Sequence, residues 1–207
     1  MTRTVALILF PAFQILDVTG PVAAFEIAGR FAPDAYRLTL LAAEGGTVAA
    51  SAGIALQARP LSGAGGFDTV LVAGGDGSRK AMHDPALCEF LRRGAGQARR
   101  LGSICSGAYL LAAAGLLDGR RATTHWARTD LFAERFPLVD VDPSVLYVDN
   151  GDVITSAGSA ASIDLALHLI RQDHGAEIAN LVARDMVVPP HRSGGQAQYI
   201  ETPMARC

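Results

Sequence analysis

Lysine, cysteine and long apolar runs are all scarce in this 207-residue sequence. Lys80 is the single lysine among 18 basic residues, and the formal net charge is -2. A chain with that balance and dispersed arginines lacks the basic footprint of a nucleic-acid-binding surface. The three cysteines, Cys88, Cys105 and Cys207, are too few and too scattered for a disulfide framework or a zinc knuckle. No apolar run approaches the ~20 residues that a membrane-spanning helix needs.

The residues that are abundant predict a packed α/β domain. Half of the sequence is hydrophobic and the mean hydropathy is +0.25, so 207 residues can bury one sizeable core. Near the N-terminus, one arginine precedes a brief apolar run that ends at Pro11. That run is typical of a buried strand rather than a signal peptide. Without a targeting segment, the expected location is the cytoplasm.

Apolar strands alternate with amphipathic helices along most of the chain, which predicts a mostly parallel sheet flanked by helices on both faces. The predicted strands are Thr4–Phe10, Tyr36–Ala42, Thr69–Ala73, Leu101–Ile104 and Arg121–Thr124, with hairpins at Val48–Gln57 and Val145–Ser156. The predicted helices are Pro21–Arg30, Pro85–Arg100, Ala108–Ala114, one that follows His125-Trp126 as far as Phe136, one that ends at Gly175, and Ala176–Val188. The first helix is expected to begin at Pro21, which leaves Asp17 in the preceding loop.

The stretch from Leu101 to Gly115 has the pattern of a nucleophile elbow. A short apolar run ends at Cys105, small residues stand on both sides of the cysteine, and an apolar helical run follows. A sharp strand-to-helix turn leaves no room for bulk and exposes the thiol, and the start of a helix favours thiolate over thiol. The alternative is a buried cysteine that acts as a small hydrophobic residue.

Two further features are expected at the same edge of the sheet as Cys105, where ligands bind beyond the carboxyl ends of parallel strands. Asp17 follows the first strand and is a candidate general acid or base, or else a loop carboxylate that accepts backbone N–H bonds. Gly74 and Gly75 follow the middle strand. Their N–H groups, with that of Ser106, are candidate oxyanion donors, although paired glycines also occur in ordinary turns.

Two polar side chains complete the candidate site. His125 follows a short strand and is either the base that activates Cys105 or a structural histidine. The Ser106 hydroxyl either assists the chemistry or caps the helix. His168 and Asp164 lie four residues apart without a third suitably spaced ligand, so neither a metal nor a cofactor is expected.

Four segments of the sequence resemble the ThiJ/PfpI superfamily, within the class I glutamine amidotransferase-like fold. They are ILDVTGP with Asp17, AGGDG at 73–77, SICSG around Cys105 and SAGSAASID at 156–164. The resemblance covers nearly the whole chain and implies a flavodoxin-like three-layer sandwich with a cysteine elbow.

Three more segments resemble the amidase-like N-terminal domain of AraC-type transcriptional regulators, the GlxA group. They are GLLDGRRATTHW at 115–126, LYVDNGDVITSAG at 146–158 and VVPPHRSGGQAQYI at 187–200. This resemblance implies one domain over 1–190, with 191–207 an extension or the start of a linker to a DNA-binding domain outside this sequence. It also implies a homodimer that senses a small molecule and contacts DNA only through that other domain.

A neighbouring group, the isocyanide hydratases, shares the same site pattern. Carried over, Cys105 would be the nucleophile, Asp17 the acid and base, and Ser106 and Gly75 the lining of the oxyanion position. Ser106 stands where PfpI-type peptidases have histidine, and Asp17 where deglycase-like members have glutamate, so neither of those activities is expected. A sensing domain is favoured over a cysteine-dependent enzyme because of the segment at 187–200. A third hypothesis is that Cys105 is a redox-sensitive thiol with no substrate.

Overall fold

The computed structural model describes residues 1–192, 195 and 196, and its centre is an eight-stranded sheet. The strands are β1 (Arg3–Ile8), β2 (Tyr36–Ala42), β3 (Gly46–Ala49), β4 (Ala55–Pro60), β5 (Thr69–Val72), β6 (Arg100–Ile104), β7 (Arg121–Ala122), β8 (Asp140–Val141), β9 (Tyr147–Asp149) and β10 (Val153–Ser156). The order across the large sheet is β3-β4-β2-β1-β5-β6-β10-β9, and β7 and β8 form a separate parallel pair.

Every pairing inside the large sheet is parallel, and antiparallel pairing occurs only at its two edges, β3 on β4 and β9 on β10. The apolar run of β1 explains its central place, since a strand covered on both faces has no polar side. Strands β1, β5 and β6 pair in register, with Leu7 opposite Leu71 and Leu71 opposite Gly102. Their carboxyl ends therefore lie side by side at one edge of the sheet.

The described residues include six α-helices, and the fold is the predicted three-layer α/β sandwich. They are α1 (Ile15–Phe31), α2 (Ser78–Ala81), α3 (Pro85–Ala95), α4 (Ala108–Ala113), α5 (Thr129–Arg135) and α6 (Ala161–Asp185). Helix α1 packs on α6, and α3 packs on α4. The Ser162 hydroxyl also donates to the Leu16 carbonyl at 3.2 Å, which ties the starts of α1 and α6 together beside the carboxyl edge.

Two of the predicted helix boundaries are wrong, and both matter for the site or the sheet. Helix α1 begins at Ile15, not at Pro21, so Asp17 lies in the first turn of the helix rather than in a loop. Pro21 lies inside the helix, where its missing N–H leaves the Asp17 carbonyl without the usual helical donor. Helix α3 ends at Ala95, because Arg100 already belongs to β6.

The last two predicted helices form one element that is interrupted at Gly175. Its φ of 87° leaves the helical region, at the residue where the sequence predicts one helix to end and another to begin. Beyond α6, Arg192 forms an ion pair with Asp164, and the Gln196 N–H donates to the Ser144 carbonyl. The rest of the predicted extension, residues 193, 194 and 197–207, lies outside the described residues. Among the residues described, no helix is long and apolar enough to span a membrane.

Candidate functional site

Cys105 lies at the turn between β6 and α4, at the carboxyl edge of the sheet. Its φ is 54°, a left-handed conformation that a non-glycine residue adopts at a cost of about 1–3 kcal/mol. Two hydrogen bonds hold the residue there: its N–H donates to the Ala157 carbonyl at 3.3 Å, and its carbonyl accepts from the Thr124 hydroxyl at 2.8 Å. The strained turn that the sequence predicts is therefore present, and the cysteine is only 8% exposed.

Asp17 is fully buried beside this turn. Its Oδ2 accepts from the Gly74 N–H at 3.0 Å and its Oδ1 accepts from the Ser159 N–H at 3.0 Å. Burial raises the pKa of Asp17 to about 7, and these two N–H groups and the neighbouring Cys105 thiol oppose that rise only in part. The carboxyl group can therefore give up or take a proton near neutral pH.

The Cys105 thiol is protonated at neutral pH, which differs from the expectation that the helix start makes it a thiolate. Burial raises its pKa to about 12, and the negative charge of Asp17 adds to the rise. The N–H of Ser106 at the start of the helical turn lowers the pKa, but by less. Desolvation therefore outweighs the stabilisation that the start of the helix gives the thiolate.

Gly74 brings the two ionisable side chains together. A Cβ atom at this position would lie 2.6 Å from the Cβ of Cys105 and 2.7 Å from the Oδ2 of Asp17. Both distances are too short for any real side chain, so only glycine permits the approach. The convergence of Asp17, the glycine pair and Cys105 at one edge is thus a feature of the structure.

The N–H groups of Gly74 and Gly75, which the sequence predicts to be free donors for an oxyanion, each already donate to a side chain of the protein. The Gly74 N–H bonds to Asp17, and the Gly75 N–H donates to the Ser106 Oγ at 2.9 Å. The same hydroxyl donates back to the Gly75 carbonyl at 3.0 Å. An anion could use these donors only by displacing Asp17 or Ser106.

His125 reaches the site across Gly158, and its bonding favours a ligand-binding donor over the alternative of a base. A Cβ atom on Gly158 would lie 2.5 Å from the His125 Cδ2 and 2.7 Å from the Cys105 Sγ. The Nδ1 of His125 accepts from the Ala127 N–H at 3.2 Å, and burial and the charge of Arg128 lower the pKa of the ring. A neutral ring with Nδ1 as acceptor carries its proton on Nε2.

Residue-by-residue reasoning missed Gly158 and Ser159. The first gives the space between His125 and the thiol, and the second holds one oxygen of Asp17. Their segment, SAGSAASID, stood out in the sequence only for its resemblance to a family. The signal that could have found it is the position of Gly158 just past β10, which pairs with β6 and ends at the same edge.

A cavity of about 330 Å³ opens in front of Gly158 and His125. Its other lining residues include Trp126, Leu146, Arg192 and Gln196. The side chain of Trp126 is 40% exposed. Gln196 is buried, and it accepts from the Trp126 N–H at 2.8 Å and donates to the Thr124 carbonyl at 3.0 Å. The cavity has the size of a small-molecule site with apolar walls and a few fixed polar groups.

His168 and Asp164, which lie four residues apart on one helix, each contact another side chain. His168 contacts the Asp149 carboxylate at 2.7 Å, and Asp164 pairs with Arg192. Within the residues that the structure describes, no group of three or more potential ligands could hold a metal ion.

Comparison with known proteins agrees with this geometry. The DJ-1/PfpI family matches residues 3–172. The chain belongs to the DJ-1/PfpI family. A solved structure, that of an AraC family transcriptional regulator from Pseudomonas putida, superposes with a TM-score of 0.81 at 25% identity, over 89% of this chain and 99% of that one.

This chain matches different shares of the length of two relatives. The HTH-type transcriptional regulator CdhR of Pseudomonas aeruginosa is 38% identical over 192 residues, which are 91% of this chain and 56% of CdhR. The isonitrile hydratase of Pseudomonas putida is 35% identical over 200 residues, which are 94% of this chain and 83% of the hydratase. The chain thus spans little more than half of the regulator and most of the enzyme.

Proposed function

We propose that this chain is the small-molecule-sensing and dimerising domain of an AraC-type transcriptional regulator. The observation that carries the proposal is the match to CdhR, which takes in nearly all of this chain and little more than half of the regulator. In this proposal residues 1–190 form the sensing domain and the following residues lead to a DNA-binding domain. DNA is contacted only through that domain, and the regulator acts in the cytoplasm.

The state of the site supports sensing rather than rapid chemistry. A thiol with a pKa near 12 is almost wholly protonated at neutral pH, so Cys105 is a weak nucleophile there. The cavity in front of it offers an aromatic face and the His125 Nε2 donor, which suffice to bind a ligand. In this proposal Cys105 and Asp17 lie behind Gly158 and Ser159 and carry out no chemistry on the ligand.

The test is the ligand response of the native gene product on a reporter gene under its own promoter. Gly158→Ala puts a Cβ 2.7 Å from the Cys105 Sγ and should abolish the response. Gly29→Ala is the matched control, because a Cβ there meets nothing within 4 Å. Cys105→Ala should keep the response. A native product of only 21.6 kDa on an immunoblot would contradict the proposal, since it leaves no room for a DNA-binding domain.

Dimerisation is tested separately, by light scattering of the purified chain at micromolar concentration. The proposal expects twice the mass of one chain. A monomer at that concentration would remove the dimerising role and leave the ligand site unaffected.

A second candidate is a cysteine-dependent hydratase, favoured by the match to most of the isonitrile hydratase. In it, Asp17 takes the thiol proton as the Cys105 sulfur bonds to the isocyanide carbon, and passes that proton to the same carbon. Water then adds, with its hydroxyl on that carbon and its proton on the nitrogen. The carbon–sulfur bond breaks to release an N-formamide, and the hydroxyl proton returns to the Cys105 sulfur. A carboxyl pKa near 7 suits such proton transfer. Turnover of an alkyl isocyanide that Cys105→Ala and Asp17→Asn both abolish would favour this candidate over sensing.

A further inference from the structure

We propose that Arg128 and Arg79 form an anion-binding subsite beside Cys105, so that the ligand of this domain carries a small anionic group such as a carboxylate. The inference deepens the proposed function, because it names the chemical class that the sensing site accepts. It concerns the side of the site next to Ser106, opposite the cavity wall formed by Gly158.

The two arginines line one cleft together with residues of the site. The cleft is lined by Gly75, Ser106, Tyr109, Arg79 and Arg128, among others. The carbonyl of Arg128 accepts from the Tyr109 hydroxyl at 3.3 Å, which fixes the backbone of Arg128 against α4. Ser106 follows Cys105 directly, so the cleft adjoins the thiol.

The charge of Arg128 reaches the reactive groups of the site. It opposes the burial that raises the pKa of the Cys105 thiol, and it adds to the burial that lowers the pKa of His125. Burial also raises the pKa of Tyr109, and the charges of Arg128 and Arg79 both oppose that rise. The two guanidinium groups therefore produce a positive potential at the same place.

Little negative charge compensates this potential. Asp76 lies 3.6 Å from the guanidinium of Arg128, and its side chain is 80% exposed, so water screens the pair. Arg79 is exposed and forms no ion pair with any residue in the described part of the chain. The carboxyl of Asp17 is buried, and each of its oxygens already accepts a backbone N–H.

The donors of this cleft are its guanidinium groups. The guanidinium of Arg128 can donate in two directions. A carboxylate is matched by such donors, because a guanidinium binds it through parallel hydrogen bonds. A neutral or cationic group in that position would leave the positive charge without a partner.

The experiment compares two alkylating probes of Cys105, iodoacetate and iodoacetamide. In both reactions the Cys105 thiolate attacks the CH₂ carbon, the C–S bond forms and iodide leaves, but only iodoacetate is an anion. The ratio of the two rate constants at pH 9.5 does not depend on the fraction of thiolate, since that fraction affects both equally. Peptide mass spectrometry follows Cys105 alone, apart from Cys88 and Cys207.

Four variants test the direction in which this ratio of rate constants changes. Arg128→Gln should lower the iodoacetate-to-iodoacetamide ratio about threefold, the effect of one charge several ångströms away in a largely aqueous setting. Arg79→Gln should lower it by less, and Asp76→Asn should raise it. Arg93→Gln is the matched control, because Arg93 lines a cleft with Gly66 and Phe67 elsewhere on the molecule, and it should change nothing.

The proposal is overturned if neither Arg128→Gln nor Asp76→Asn changes the ratio, or if Arg93→Gln changes it as much as Arg128→Gln. In the wild type, 0.5 M NaCl should move the ratio towards that of Arg128→Gln. No ligand or DNA is present in the assay, so its result stands apart from the reporter test of the regulator.

Discussion

The two edges of the central sheet both bury ionisable groups, but they treat the charge differently. At the amino edge, the side chain of Asp173 is fully buried and accepts from Arg99 at 2.6 Å, from Arg100 at 2.5 Å and from Tyr36 at 2.9 Å. At the carboxyl edge, Asp17 is equally buried, but it accepts the backbone N–H groups of Gly74 and Ser159 and adjoins the Cys105 thiol instead of an arginine.

The difference shows what pairing does to a buried charge. The nearby Asp68 is also partly buried, yet its hydrogen bond and ion pair with Arg99 hold its pKa below the usual value. Asp17 lacks a cationic partner of that kind, and burial raises its pKa to about 7. At the amino edge, called the paired edge below, arginines surround the carboxylates and join α6 to the strands. At the carboxyl edge, called the unpaired edge below, Asp17 is a group that ionises near neutral pH.

Breaking the paired edge should have the largest effect on stability. Asp173→Asn removes the negative partner of Arg100, which is only 3% exposed, and leaves a buried charge uncompensated. We expect a loss of about 3–5 kcal/mol in the free energy of unfolding, measured by urea denaturation.

Asp185→Asn is the matched control, on the same helix. Its carboxylate pairs with Arg30 at 2.7 Å, but both side chains are more than a third exposed. A loss below about 1 kcal/mol is expected. Equal losses from the two substitutions would mean that the buried network at the amino edge adds nothing beyond a surface pair.

Removing the carboxylate of Asp17 at the unpaired edge should increase stability relative to the wild type as the pH rises, the opposite direction to the loss expected from Asp173→Asn. The folded pKa of Asp17, about 7, exceeds its unfolded value, so the folded state holds a proton that the unfolded state releases. Stability is therefore lost as the pH rises from about 4 to about 7. We expect the stability of Asp17→Asn relative to the wild type to increase by about 2.5 kcal/mol between pH 5 and pH 8.

Urea denaturation of both proteins at the two pH values checks this expectation. Asp142→Asn is the control that should give the same difference at both pH values. Two hydrogen bonds from Ser144 and the charge of Arg121 outweigh burial and lower the pKa of Asp142, so that carboxylate is ionised in the folded and the unfolded state at pH 5 and above. A difference between Asp17→Asn and the wild type that is the same at both pH values would mean that Asp17 stays ionised.

The sheet was largely accessible to sequence reasoning, since its strands depend on local patterns. The ion pairs of the amino edge were not, because they join segments that are far apart in the sequence. Continuous apolar runs gave β1 and β5, and Gly175 marked the break in α6. The boundary of α1 was not accessible, because Pro21 is typical of a first helical turn and here lies further inside. What overrides that preference is the packing of α1 on α6, a contact between residues about 140 positions apart.

At the unpaired edge, sequence reasoning could name the residues but not their bonding. Cys105, Asp17 and Gly74 were all identified from their places after strands. The sequence does not reveal that the Gly74 and Gly75 N–H groups are already engaged, or that Nδ1 of His125 is an acceptor. Those facts depend on distances of a few ångströms between distant segments, and so do the pKa values of buried groups.

The smallest expected effect is a change in the alkylation rate of Cys105, which shows whether Asp17 raises the pKa of the thiol or acts as its base. Its negative charge adds to burial in raising the pKa of the Cys105 thiol to about 12, so Asp17→Asn should lower that pKa and increase the thiolate fraction. We expect iodoacetamide to alkylate Cys105 several-fold faster at pH 8 in Asp17→Asn than in the wild type. The rate at Cys88 in the same molecule, and the rate at Cys105 in Asp185→Asn, should not change. Slower alkylation in Asp17→Asn would mean instead that Asp17 takes the proton from the thiol and acts as its base.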